Sequence, residues 1–155
     1  MQIRRFRPSD AEAVSELTCQ VFDEHVAPAF EPEGILEMHD HLRPEAIAER
    51  AITHLTLVAL VPEPESPPRV AGVIELRGEE RVSMLFVSTP HMGRGIATEL
   101  MARAEAASRA AGRATMTVHS SLNAEGFYRK LGFAPTDEPQ KVLGFAYVPM
   151  ERHLR

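Results

Sequence analysis

An α/β fold in a single domain is what these 155 residues predict. Short apolar runs of strand length alternate along the chain with stretches of helical periodicity, and one apolar strand passes through a glycine turn straight into the longest helix. No repeat, low-complexity tract or shift in composition marks a second domain. A chain of this length can bury one substantial core.

Residues 3–7 alternate apolar and charged side chains and suit a half-buried strand. Ser9 stands where a helix cap is needed, and Glu12 three residues later completes a capping box. Ala13, Val14, Leu17, Val21 and Phe22 form the apolar stripe of that helix. Residues 23–44 are loop-rich around Pro28, Pro32 and Gly34, with a short helix expected over 35–41. Pro44 suits a helix start, and Ala46, Ile47, Arg50 and Ala51 continue it. Residues 55–61 read as a buried strand, and 62–69, with four prolines, as a loose hairpin loop.

Residues 70–77 and 81–88 are two further strands joined by the turn Gly78-Glu79-Glu80. Thr89-Pro90 stops the second, because proline lacks a donor and holds its predecessor extended. A long helix is expected over 95–111. Ile96, Leu100, Ala104, Ala107 and Ala111 share one face, and Gly112 closes it. A strand over 114–118, a short helix over 123–131 closed by Gly132, and a final strand over 142–148 complete the order.

Lys plus Arg number 17 and Asp plus Glu 22, giving a formal net charge of −5. With a pI near 5.8 the chain is a poor general ligand for phosphate backbones, so no nucleic acid is expected as partner. Cys19 is the single cysteine and has no intrachain partner, which fits a reducing, cytoplasmic setting. The three arginines of residues 1–8 are followed by no apolar run, so no signal peptide is expected. The longest near-apolar stretch, residues 55–62, is far below the ~20 residues of a membrane-spanning helix. His39 and His41 have a spacing seen in metal sites but lack an evident third ligand, so no metal is expected.

The chemistry concentrates in Met84-Leu85-Phe86-Val87-Ser88-Thr89-Pro90-His91-Met92-Gly93-Arg94-Gly95-Ile96-Ala97-Thr98. Glycines let a ligand approach the backbone, and first-turn helix N–H groups have no partner within the helix. Those donors, with the positive end of the helix dipole, suit a diphosphate, and Arg94 adds a charge. A P-loop would need Lys and Ser/Thr after the second glycine, where Ile96 and Ala97 stand. A dinucleotide fold would want a third glycine or alanine at Thr98 and an acid ending the next strand, where Val118-His119 stand.

This segment resembles motif A of the GNAT superfamily of acyl-CoA-dependent N-acetyltransferases, Gln/Arg-x-x-Gly/Ala-x-Gly/Ala. The match is Met92 through Ala97, with Met92 in place of the usual Gln or Arg. About 30 residues on, Ala124-Glu125-Gly126-Phe127-Tyr128-Arg129-Lys130-Leu131-Gly132-Phe133 is similar to the family's late Tyr-x-x-Leu-Gly-Phe helix. The resemblance covers nearly the whole chain and implies the GNAT fold of a small single-domain member. That fold is a central mixed, mostly antiparallel twisted sheet of about six or seven strands flanked by about four helices.

The resemblance further implies acetyl-CoA as cosubstrate, with the pantetheine arm along Leu85, Phe86 and Val87. The backbone of Met92, Gly93, Arg94, Gly95, Ile96 and Ala97 would hold the pyrophosphate, with the Thr98 hydroxyl nearby. Tyr128 matches the tyrosine that commonly protonates the leaving thiolate. Ser121 stands where many relatives carry Asn; Asn123 is near it but suits a helix N-cap better. The implied reaction is direct attack of an amine on the thioester, which makes the chain an acyltransferase. Glu75 on the neighbouring strand and His119 at a strand end are the candidate bases, since relatives that carry an acid or His where Arg81 stands offer no match here. Glu75 as an outward-facing strand residue is the competing reading.

Residues 23–50 hold Asp23, Glu24, Glu31, Glu33, Glu37, Asp40, Glu45 and Glu49 against Arg43 and Arg50. If this region forms the acceptor wall, as in the family, a cationic small-molecule amine is the expected acceptor; a solvated surface is the alternative. Acetylation of a protein or peptide amine, and a non-catalytic acyl-CoA sensor, are the other functional readings. Whether the chain forms a homodimer stays open.

Overall fold

The computed structural model describes residues 1–154. The chain runs β1 (Gln2–Arg5), α1 (Ala11–Val21), α2 (Pro32–His41), α3 (Pro44–Ala51), β2 (Leu55–Glu63), β3 (Ser66–Arg77) and β4 (Arg81–Val87). It continues with α4 (Ile96–Ala110), β5 (Thr115–Ser120), α5 (Glu125–Lys130), β6 (Ala134–Pro135), β7 (Gln140–Val142) and β8 (Phe145–His153). The sheet has eight strands in the order β1-β2-β3-β4-β5-β8-β6, with β7 paired to β8. Every pairing is antiparallel except that of β4 with β5.

The alternation of side chains along the strands gives two apolar layers. Ile74, Leu76, Val82, Val87, Met116, Val118, Val148 and Met150 pack with Ile96, Leu100, Met101 and Ala104 of α4 and with Tyr128 and Phe133. On the opposite face Val58, Val73 and Met84 pack with Val14, Phe22, Leu42 and Ile47. No helix among the described residues is long and apolar enough to cross a membrane.

Strand β4 carries two irregularities. Glu75 pairs with Met84 but Leu76 pairs with Val82, so Ser83 is an extra residue and β4 bulges there. β4 pairs with β5 only at Arg81 with Thr117 and Val82 with Val118. Beyond Val82 the two strands separate. The Ser88 amide donates to the Ala71 carbonyl at 2.8 Å. By alternation the amide of Phe86 also points to β3, and those of Leu85 and Val87 point into the gap.

Several local expectations are corrected. The first helix is not capped by Ser9, which is exposed; a short turn, Pro8–Asp10, precedes it. Asp10 precedes α1 but caps it with no side-chain hydrogen bond; its carboxylate turns back to accept from the Arg7 amide at 2.7 Å and from Arg4 at 2.8 and 3.0 Å. Ala13 is exposed, and Ser15 and Thr18 take the buried positions of α1. The Ser15 hydroxyl donates to the Leu42 carbonyl at 2.6 Å and so satisfies the end of α2. Residues 62–69 are not a loose loop: the β2–β3 ladder continues to Glu63 opposite Ser66. The final strand begins as a hairpin, with Leu143 (φ 53°) and Gly144 (φ 86°) linking β7 to β8.

Candidate active site

Gly93 (φ 78°) and Gly95 (φ 81°) are both left-handed, a region side chains enter at a cost of about 1–2 kcal/mol. A methyl placed on either glycine would meet nothing within 4 Å, so the space above the loop is open. Gly95 is the residue preceding α4, and no side chain caps the helix. The amides of Ile96, Ala97 and Thr98 therefore face outward without an internal partner. This cradle fits a diphosphate, the group the sequence pattern implies there.

The cradle opens into a cleft of about 990 Å³ that follows the gap between β4 and β5. Leu85, Phe86, Val87, Met92, Gly93, Gly95, Ile96, Ala97, Thr98, Ser121 and Tyr128 all line it. Arg94 does not: its side chain is exposed and outside the lining. Asn123 lines the cleft and caps no helix; Ser121 precedes the turn Leu122–Ala124, without a capping hydrogen bond.

Tyr128 is 6% exposed, with Phe127 and Phe133 edge-on to its ring at 5.3 and 5.5 Å. Burial pushes its hydroxyl far above the ordinary tyrosine value, so it is protonated throughout the neutral range.

Glu75 is neither outward-facing nor on the cleft surface. It is completely buried, takes a hydrogen bond from Arg50 Nε at 2.9 Å and another from the Ser83 hydroxyl at 2.7 Å, and is absent from the lining. Arg50 also donates to the His41 carbonyl at 2.7 Å, so the pair locks α3, the end of α2 and β3 together beneath the bulge. Ser83 lines the cleft directly above it.

His119 does line the cleft. Its ring stacks on Tyr147 at 4.2 Å, and its Nε2 lies 3.4 Å from Arg81 Nη2, which donates. Burial, and after it the Arg81 charge, hold His119 below the ordinary histidine value. The ring is therefore neutral near pH 7. His41 is held low in the same way, by burial first and then by Arg50. The two histidines weighed as a metal pair part company: His39 bonds Asp23 at 2.6 Å, whereas His41 faces the cleft.

The acidic wall is not a wall of the cleft. Glu37 is the one carboxylate in the lining among the described residues. Asp40 and Glu45 pair with Arg43, and Glu24 accepts from Thr89 at 2.9 Å. Glu31, Glu33 and Glu49 are exposed. The α1–α3 side of the cleft is instead apolar and aromatic, with Phe30 edge-on to Phe145 at 5.4 Å. Phe30, Phe145, Tyr147, Arg77 and Ser83 carried no local signal of a shared site, because they meet only through the tertiary fold.

One splayed parallel pair in a mixed sheet, a bulge beside the splay and an uncapped helix N-terminus at its mouth thus meet in a single cleft. The acetyltransferase (GNAT) domain pattern matches residues 26–154, and the chain belongs to that family. Among solved structures it is similar to a GCN5-related N-acetyltransferase from Rhodopseudomonas palustris, at 25% identity and TM-score 0.81 over 99% of this chain and 95% of that one. It shares its fold with the PaiA N-acetyltransferase of Thermoplasma acidophilum in complex with coenzyme A, at 16% identity and TM-score 0.76, covering 99% and 98%. An aminoglycoside 6′-N-acetyltransferase complexed with coenzyme A matches at 14% identity and TM-score 0.65, covering 99% and 97%. No curated protein sequence matches significantly.

Proposed function

We propose that the chain is an acetyl-CoA-dependent N-acetyltransferase acting on the primary amine of a small molecule. The observation that carries the reading is the continuity of the glycine cradle with the β4–β5 gap: one cleft holds anion donors at its mouth and free strand amides inside it. Coenzyme A in the two fold neighbours supports the cosubstrate.

The amides of Met92 through Ala97 and the Thr98 hydroxyl hold the pyrophosphate, and the gap edge of Leu85 and Val87 takes the pantetheine arm. An alkyl ammonium, with a pKa of about 10.4, must lose its proton before it attacks. Neutral His119 accepts that proton on Nε2, directly or through water, once this nitrogen gives up the long hydrogen bond from Arg81. The amine nitrogen then bonds the acetyl carbon while the carbon–sulfur bond breaks and its electron pair stays on sulfur; the nitrogen gives up its second proton to water as the amide forms, and the thiolate takes its proton from water after it leaves. The gap-facing amides donate to the carbonyl oxygen as its negative charge develops. Tyr128 donates to the departing sulfur. Glu75 serves as a positioning residue: its carboxylate is engaged by Arg50 and Ser83, so it braces the bulge rather than taking a proton.

Calorimetric titration with acetyl-CoA tests the cradle. Gly95→Ala imposes the backbone strain alone, whereas Gly95→Glu adds a carboxylate where the diphosphate belongs. Binding is expected to weaken modestly in the first variant and to disappear in the second. Equal affinities in both variants and the parent chain would refute the assignment.

A further inference from the structure

Arg77 ends β3, Arg81 begins β4, and the two are direct cross-strand partners. Like charges placed opposite each other destabilise a sheet unless something neutralises them. Yet neither guanidinium has a carboxylate within 4.0 Å among the described residues, and both line the cleft. Among the described residues the cleft thus presents two arginines and one carboxylate, that of Glu37, in a chain whose net charge is −5.

These arginines do not serve the diphosphate. They stand at the opposite end of β4 from the Gly93–Gly95 loop, about 20 Å away by the rise of seven strand residues. They sit instead beside the Ser83 bulge, on the side of the sheet that carries Phe30, Phe145, Met38 and Tyr147. Arg77, His41 and Glu37 line this same cleft, and no ion pair joins Arg77 to Glu37. A cation pair, a separate carboxylate and an aromatic surface are therefore held apart around one space.

We propose that the acceptor is a zwitterion of the aromatic or bulky apolar α-amino acid class, with its carboxylate on Arg77 and Arg81 and its apolar side chain among Phe30, Phe145 and Met38. Glu37 draws the ammonium end into the cleft before the proton is lost. The two guanidiniums offer planar, forked donors that match a carboxylate. This assignment names the acceptor of the acetyltransferase reading and rests on it.

Matched acceptors test it: L-phenylalanine, phenethylamine, which lacks only the carboxylate, and L-alanine, which lacks the ring. With acetyl-CoA supplied, kcat/KM for L-phenylalanine is expected to exceed that of the other two by at least about tenfold, the scale of a charged hydrogen bond. Arg77→Gln and Arg81→Gln should each bring the phenylalanine to phenethylamine ratio towards one. Calorimetry with L-phenylalanine, in the presence and absence of coenzyme A, reads the site without turnover. Phenethylamine performing as well as L-phenylalanine, a ratio untouched by both arginine variants, or no L-phenylalanine binding and no turnover would each overturn the proposal. A chain that binds L-phenylalanine through these arginines but fails to bind acetyl-CoA would overturn the acetyltransferase reading and leave the zwitterion site standing.

Discussion

Arg50 of α3 and Glu75 of β3 form an ion pair 2.9 Å long, with the glutamate completely buried and the arginine 13% exposed. It joins the helical layer to the strand beside the bulge, 25 residues apart in sequence. Removing one member of such a pair strands the other charge away from water, at a cost of about 3–5 kcal/mol. Arg50→Met should therefore destabilise the chain by that amount in urea unfolding. The double variant Arg50→Met/Glu75→Leu should recover much of the loss, because no orphan charge remains. If the double variant is less stable than the sum of the singles, the pair is not the unit described.

Gly34 and Gly144 bring α2 and the β7–β8 turn into backbone contact at the rim of the cleft. The Glu31 amide donates to the Gly144 carbonyl at 3.0 Å, and a methyl built on Gly144 would lie 2.6 Å from the Gly34 nitrogen. A methyl on Gly34 would overlap the Gly144 carbonyl. Gly34→Ala should cost about 1–3 kcal/mol by forcing the two segments apart. Gly126→Ala, inside α5 with nothing within 4 Å, is the matched control and should hold or slightly raise the melting temperature.

How much of the fold and site was legible beforehand depends on the range over which each signal acts. The Gly93–Gly95 loop and the start of α4 are local: positive φ and missing caps are properties of adjacent residues, and the sequence shows both. Glu75 was not legible, because its burial depends on Arg50 reaching it from another layer. The prolines of residues 62–69 suggested disorder, yet β1 covers β2 only at residues 57–60. Beyond that a strand edge is free, and a proline without an N–H sacrifices no bond there. The Val142-Leu143-Gly144-Phe145 turn hid inside an apolar run without Asn or Asp before its glycine, so it read as continuous strand.

Asp10 should make the chain acid-sensitive in a defined window. Burial pushes its carboxyl up, but hydrogen bonds from Arg4 and the Arg7 amide outweigh that and leave it below its ordinary value. A group depressed in the folded state stabilises fully above its unfolded value, about 3.9, and loses that contribution as pH falls through its folded one. Unfolding by urea should show Asp10→Asn less stable than the parent by about 1–2 kcal/mol near neutrality, because the charged hydrogen bonds with Arg4 are weakened. The gap should narrow steadily below about pH 4. A gap constant down to about pH 2 would contradict the assignment.

His119 offers a titration independent of turnover. Burial and the Arg81 charge both hold it down, so its NMR midpoint should fall below the ordinary value of about 6.5. Arg81→Gln removes the second cause and keeps the first, so the midpoint should rise without regaining the free value. As a lowered histidine disfavours protonation in the folded state, stability should decline as pH drops below about 6.5. The acid limb of kcat/KM should follow the same midpoint if His119 takes the proton. A limb that stays fixed while the midpoint moves would assign the proton to another group.

Tyr128 tests the exit of the thiol. A thiol ionises near 8.5, whereas burial holds the Tyr128 hydroxyl well above its ordinary value of about 10. Full transfer of its proton to a thiolate runs uphill, so the hydroxyl acts by hydrogen-bonding the sulfur as charge develops there. Such a donor matters in the transition state and little in the ground state. Tyr128→Phe should lower kcat about 10²-fold with the KM for acetyl-CoA nearly unchanged. The ring keeps its edge contacts with Phe127 and Phe133, so the variant should melt no lower than the parent. An unchanged kcat at unchanged stability would remove Tyr128 from the chemistry and leave it as a packed aromatic of the α4 layer.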